Sequence, residues 1–134
     1  MIDILIVEEK DQIQRACSQL GPRVSVCDSE MIALSILSEL SSPIVLLNHN
    51  VMKNGTPEYI KMLFGACSSC KIIVIGDALS EKEILSCLLV GARGYQQLDQ
   101  LQKYSSRLVE AVDTGEAWIT RRMTALLLDT LRNC

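Results

Sequence analysis

Residues 44–52 read IVLLNHNVM: four apolar residues in the manner of a buried strand, then Asn48, then a mostly polar turn. A strand apolar at every position is covered on both faces, which is the habit of parallel sheets. At its end stands an amide where a carboxylate would be the useful group. The same apolar run recurs outward from this stretch. DILIV (3–7) and KIIVIG (71–76) are further strands, VSV (24–26) is a brief one and GYQQL (94–98) a short fifth.

Helical spacing fills the intervals. DQIQRACSQL (11–20) sets Ile13, Ala16, Cys17 and Leu20 on one face, and Gly21-Pro22 stops it. Ser29 caps a second helix with Ala33, Ile36, Leu37 and Leu40 inward. Thr56-Pro57 opens a third as cap and first-turn proline, with Ile60, Leu63, Phe64 and Cys67 inward. Ser80 and Glu83 form a capping box for a fourth, whose Ile84, Cys87, Leu88 and Gly91 face the core. A fifth runs from about Asp99 to Thr114 with Leu101, Tyr104, Leu108, Ala111 and Val112 inward, and Gly115 ends it. Strand and helix alternate five times, which predicts an α/β fold with a parallel sheet covered on both faces. EAWITRRMTALLLDTLRNC (116–134) adds a sixth helix; its Met123, Leu126, Leu127 and Leu131 form a stripe that no further strand is present to receive.

The chain has 134 residues, a length for one domain. Apolar residues at 49% and charged residues at 22% exclude a disordered chain, and a single Trp and Phe leave the core to aliphatic residues. No apolar run reaches the length of a membrane span, and the first has no basic stretch before it, so a cytoplasmic protein is expected. Net charge is −3, and the basic residues are scattered apart from Arg121-Arg122, which predicts no direct binding of nucleic acid by this chain. Of the six cysteines, Cys17 and Cys87 fall on apolar helix positions and Cys27 ends a strand. The pair Cys67 and Cys70 follows a helix and precedes a strand, the wrong end for a redox dithiol, and one such pair is half a zinc site. Both are expected to be turn residues.

The order of these motifs resembles a response-regulator receiver domain, and most closely the NarL/LuxR-type subgroup. ILIVEEK resembles the first strand with its acidic pair, and SPIVLLN the third strand ending at the phospho-acceptor. KIIVIG resembles the fourth strand, GARGYQQLD is similar to the GAxGYxxKD turn and fifth strand, and AVDTGEAWIT is similar to the A…GExWI close. The resemblance covers residues 1–119 as the receiver domain and leaves 120–134 as a linker helix. It implies a flavodoxin-like (βα)5 doubly wound sheet of strand order 2-1-3-4-5 with an additional C-terminal helix.

It also implies a site at the carboxyl ends of the strands. Glu8 and Glu9 stand where the family has its magnesium-holding acids, Asn48 at the phospho-acceptor, Gly76 at the switch hydroxyl and Leu98 at the lysine; Tyr95 keeps the coupling aromatic. A carboxamide is no nucleophile toward phosphorus, glycine has no hydroxyl and leucine has no cation. Three losses together predict that phosphotransfer is gone and that the chain is not an enzyme. In a pocket without lysine a third carboxylate would meet uncompensated repulsion, which accounts for the amide. Glu8, Glu9 and the Asn48 carbonyl make a poor cation site, so no cofactor beyond weak magnesium binding is expected. His49, the single histidine, is read as a loop residue.

The expected function is therefore a pseudo-receiver acting by protein–protein interaction. The expected face is helix 4, strand 5 and helix 5, where Leu85 and Leu89 form a second stripe next to Tyr95, and a weak homodimer is expected there. The subgroup implies a helix-turn-helix DNA-binding domain, absent from these residues, so the chain reads as the regulatory part of a transcription regulator or as a stand-alone receiver. A rival of another class is a small-molecule sensor with Glu8, Glu9, Asn48 and Gly76 lining its pocket.

Overall fold

The structure, a computed structural model, describes every residue except Met1, Pro22 and Cys134, so Cys134 and half of the Gly21-Pro22 stop lie outside it. The elements run β1 (Ile4–Val7), α1 (Gln12–Ala16), β2 (Val24–Cys27), α2 (Glu30–Leu37), β3 (Ile44–Asn48) and α3 (Thr56–Ala66). They continue with β4 (Lys71–Gly76), α4 (Glu81–Leu89), β5 (Gly94–Gln97), α5 (Leu101–Asp113) and α6 (Arg121–Arg132). Among the described residues five parallel strands pair in the order β2-β1-β3-β4-β5, as the sequence led us to expect.

Period-two alternation divides the strands between two cores. Leu5, Val7, Val45, Leu47, Ile72 and Val74 meet Ala33 and Leu37 of α2, Ile60 and Leu63 of α3, and Ile84 and Leu88 of α4. Ile4, Ile6, Ile44, Leu46, Ile73 and Ile75 meet Ile13 of α1 and Leu101, Leu108 and Val112 of α5. Each such aliphatic side chain contributes roughly 1.5–3 kcal/mol by leaving water.

Several local expectations are corrected. The first helix lasts one turn and a half and then tightens into a 3-10 turn over Ser18–Leu20, which aims the Gln19 amide at the Ser105 hydroxyl of α5. Thr56 is no cap but the first residue of α3, and its hydroxyl donates to the Lys53 carbonyl at 2.6 Å. Ser29 and the Ser80–Glu83 box do cap α2 and α4. Leu40 lies beyond the end of α2 and is half-buried, as are Phe64, Cys67, Tyr104 and Ala111. Gly91 is exposed and ends α4 with φ +112, its bare α-carbon facing the Phe64 ring.

The largest correction concerns the tail. After α5 the chain turns at Gly115 and runs back along β5, where Tyr95 N donates to Trp118 O at 3.1 Å and Trp118 N to Arg93 O at 2.9 Å. A parallel bridge joins Gly94 to Trp118, and a β-carbon at residue 94 would collide with the Trp118 carbonyl. Trp118 also donates its indole N–H to the buried Gln96 side chain at 2.9 Å. α6 then lies on α4, with Met123 buried and Leu126 and Leu127 half-buried in the α4-side core. What receives the sixth-helix stripe is a helix, not a strand. Leu131, at 55% exposed, falls outside that contact.

Candidate functional site

The sheet register brings the expected site residues to one mouth at the carboxyl end. Val7 pairs with Leu47, Asn48 with Ile75 and Gly76 with Gln97, so Glu8, Asn48, Gly76 and the β5 end stand side by side.

Each is engaged locally. Glu8 is 2% exposed, and its two carboxylate oxygens accept from Ile13 N at 2.8 Å and Gln14 N at 3.0 Å. The acid closes the open N-terminal turn of α1, where its charge meets free amide donors. Glu9 is exposed and lines the groove beside α1 and α2. Asn48 is 4% exposed, and its Oδ1 accepts from Asn50 N at 3.0 Å, a turn that asparagine makes well and that fixes the strand end. Among the described residues no group of three acidic, histidine or cysteine side chains is placed to hold a metal ion.

At Gly76 the room that a hydroxyl would use is taken by Leu79: a β-carbon there would come within 2.7 Å of its side chain. The Tyr95 hydroxyl turns onto the same loop, lying 3.1 Å from the Gly76 carbonyl and 2.8 Å from Gln97 Oε1, and it accepts from Leu79 N at 3.5 Å. Burial pushes the Tyr95 phenol above its usual range, with Asp77, Asp99 and Glu83 adding to the effect and the Leu79 amide opposing it. Gln97 completes the tie: Oε1 accepts from Ala78 N at 2.8 Å and Nε2 donates to Asp77 Oδ1 at 3.1 Å. Leu98 folds away into the α5-side core. The 77–79 loop is thus pinned by a tyrosine and a glutamine, with the Asp77 carboxylate as one of the acceptors. Sequence reading missed Gln97 and Leu79; the only signal was two glutamines beside the position where the family has lysine.

His49 proves more than a loop residue. It is buried against α4 with Nε2 3.7 Å from Glu83 Oε2, and burial holds its pKa below the usual value while Glu83 pulls the other way. In the Cys67–Cys70 turn both thiols are free, and burial pushes Cys70 up to about 12, which leaves almost no thiolate for redox chemistry. Leu85 is half-buried in the α4-side core, whereas Leu89 is 43% exposed. The groove that touches Glu8 and Glu9 lies between α1, β2 and α2 and includes neither Asn48 nor Gly76. No helix among the described residues is long and apolar enough to cross a membrane.

Neither a family model nor a curated protein matches the chain. Solved structures do. The RcsB response regulator of Salmonella typhimurium matches 95% of this chain and 69% of its own, with TM-score 0.75 and 14% identity. A LuxR-family two-component response regulator from Aurantimonas sp. matches over 96% of both chains, with TM-score 0.75 and 14% identity. The receiver domain of NarL from Mycobacterium tuberculosis matches 86% of this chain and 98% of its own, with TM-score 0.68 and 14% identity. The fold is that of response-regulator receiver domains, C-terminal helix included.

Proposed function

We propose that this chain is a non-enzymatic pseudo-receiver of cytoplasmic two-component signalling, the regulatory part of a LuxR-type transcription regulator, which acts through protein contacts without aspartyl phosphorylation. The observation that carries the reading is the pinned 77–79 loop: Tyr95 and Gln97 hold by internal hydrogen bonds what a phosphoryl group would otherwise have to order. Asn48 has no carboxylate to phosphorylate, and both Glu8 oxygens are engaged by the backbone of α1. Leu79 over Gly76 speaks against the small-molecule sensor, since the room that sensor needs is filled.

Intact-mass spectrometry after incubation with acetyl phosphate and magnesium tests the reading. The expected result is an unchanged mass; a hydroxylamine-labile phosphoryl adduct overturns it. Self-association through Leu85, Leu89 and Tyr95 belongs to the same proposal, but α6 lies over part of that face and leaves Leu89 outside, so only a weak dimer is expected. Sedimentation of the wild type against Leu89→Arg measures it.

A further inference from the structure

We propose that the groove between α1, β2 and α2 is a docking site for an amphipathic helix with basic residues, supplied by a partner protein. This goes beyond the pseudo-receiver reading and does not depend on whether the pocket accepts phosphate.

The groove has a volume of about 430 Å³ and an apolar side made by Val26, Ile32 and Ile36. Val26 is 43% and Ile32 56% exposed. Ile32 and Ile36 are four apart on α2 and form a lateral stripe, distinct from Ala33 and Leu37, which face the core. The remaining rim is charged. Glu8, Glu9, Asp11 and Asp28 set four carboxylates against Lys10 and against Arg15, which pairs with Asp11 at 2.8 Å; Glu8 is held by the α1 amides, so Glu9 and Asp28 are the exposed carboxylates left to meet a partner. Single exposed leucines and isoleucines are ordinary on a protein surface, but an apolar wall facing an acidic rim in one concavity is a matched pair of features. The sign excludes phosphate-rich occupants, both nucleic acid and anionic lipid.

The molecule shows what such a stripe accepts. On α4, Leu85 stands beside the inward Ile84 and Leu88 as Ile32 stands beside Ala33 on α2, and α6 lies there. α6 is amphipathic and opens with Arg121-Arg122, and Arg122 binds the Glu81 carboxylate at the start of α4 through two contacts, one of 3.1 Å. The α2 groove offers the same combination, apolar stripe and carboxylates, with no described segment of this chain laid in it.

Fluorescence anisotropy of a labelled lysine–leucine peptide, its leucines at i, i+3, i+4 and i+7, tests the proposal, with a peptide of the same composition in scrambled order as control. The wild type is expected to bind the patterned peptide at least about tenfold more tightly than the scrambled one. Ile32→Asp and the pair Glu9→Lys with Asp28→Lys are each expected to lose about tenfold. All three positions are exposed, so unchanged melting of the variants confirms that they fold. Equal binding of the two peptides, binding unaffected by Ile32→Asp, or no binding at low salt overturns the proposal.

Discussion

The two edges of the sheet are treated in opposite ways. At β5 the chain covers itself: the Trp118 segment pairs with the strand and α6 lies over the neighbouring helix. At β2 nothing in the described chain pairs with the outer side, and Val26 and Ile32 meet solvent. An unpaired edge is a template for association unless it is blunted. β2 is short, and Asp3 and Arg23 form an ion pair at its start, yet the apolar wall beside it is uncovered. The lesson is that one side is covered by the segment that follows Gly115, whereas no described segment covers the outer side of β2.

The comparison breaks most visibly at Gly94. Gly94→Val pushes a side chain into the Trp118 backbone, which has no rotamer by which to yield. We expect a loss of about 2–3 kcal/mol in denaturant unfolding. Ser25→Val on the open strand should change stability by less than about 0.5 kcal/mol. A Gly94→Val protein as stable as the wild type would mean that the tail does not close the edge.

Next in size is the helix cover itself. Met123→Ala removes the buried anchor of α6 and is expected to cost about 2 kcal/mol, toward the low end for a buried methionine because α6 is half open to water. Ile32→Ala, on the corresponding uncovered stripe of α2, should stay within about 0.5 kcal/mol. Similar losses at both positions would show that the α2 stripe is already covered in the free chain.

How far the sequence reached can be judged at the same two edges. Strands and helices were legible because apolar periodicity is a local signal, and the caps at Ser29 and Ser80 obey rules three residues long; the sheet order came from the resemblance to receiver domains. The sixth helix was legible too, but the path of the tail was not, because the contact of Gly94 with Trp118 spans residues whose pairing leaves no periodic trace. At the candidate site the missing groups at Asn48, Gly76 and Leu98 were visible letter by letter. Their replacements follow no such rule: Leu79 packs over Gly76 within an irregular loop, the Gln97 amide reaches Ala78 from a different strand, and Glu8 caps α1 from four residues before it.

A third prediction sharpens the closed side. Tyr95→Phe removes the hydroxyl that bonds the 77–79 loop and should cost about 1 kcal/mol. The amides of Ala78 and Leu79 should exchange with solvent faster, while Glu9 and Asp28 across the molecule are unaffected. Hydrogen exchange read residue by residue checks it; unchanged protection at Leu79 would mean that Gln97 alone holds the loop.

The smallest expected effect is a pH dependence, and it too belongs to the closed side, at the start of α4. His49 is buried beside Glu83, with Lys53 and Lys82 lining the same hollow. Burial, the larger influence, lowers its pKa below 6.5, and the Glu83 carboxylate only partly restores it. The unfolded chain therefore takes up a proton near pH 6.5 that the folded chain resists. The stability due to neutral His49 is complete above that pH and is lost as pH falls from 6.5 toward the lower folded value. Glu83 works in the same direction at lower pH, because its capping bonds to Ser80 hold its pKa below the usual carboxylate range and its contribution is lost only under stronger acid. His49→Gln, which cannot titrate, should flatten the first of these losses and leave the second. Urea midpoints taken from pH 7.5 down to 5.5 for both proteins read the difference; parallel curves would show that the His49 site opens to water and that α4 is not held there.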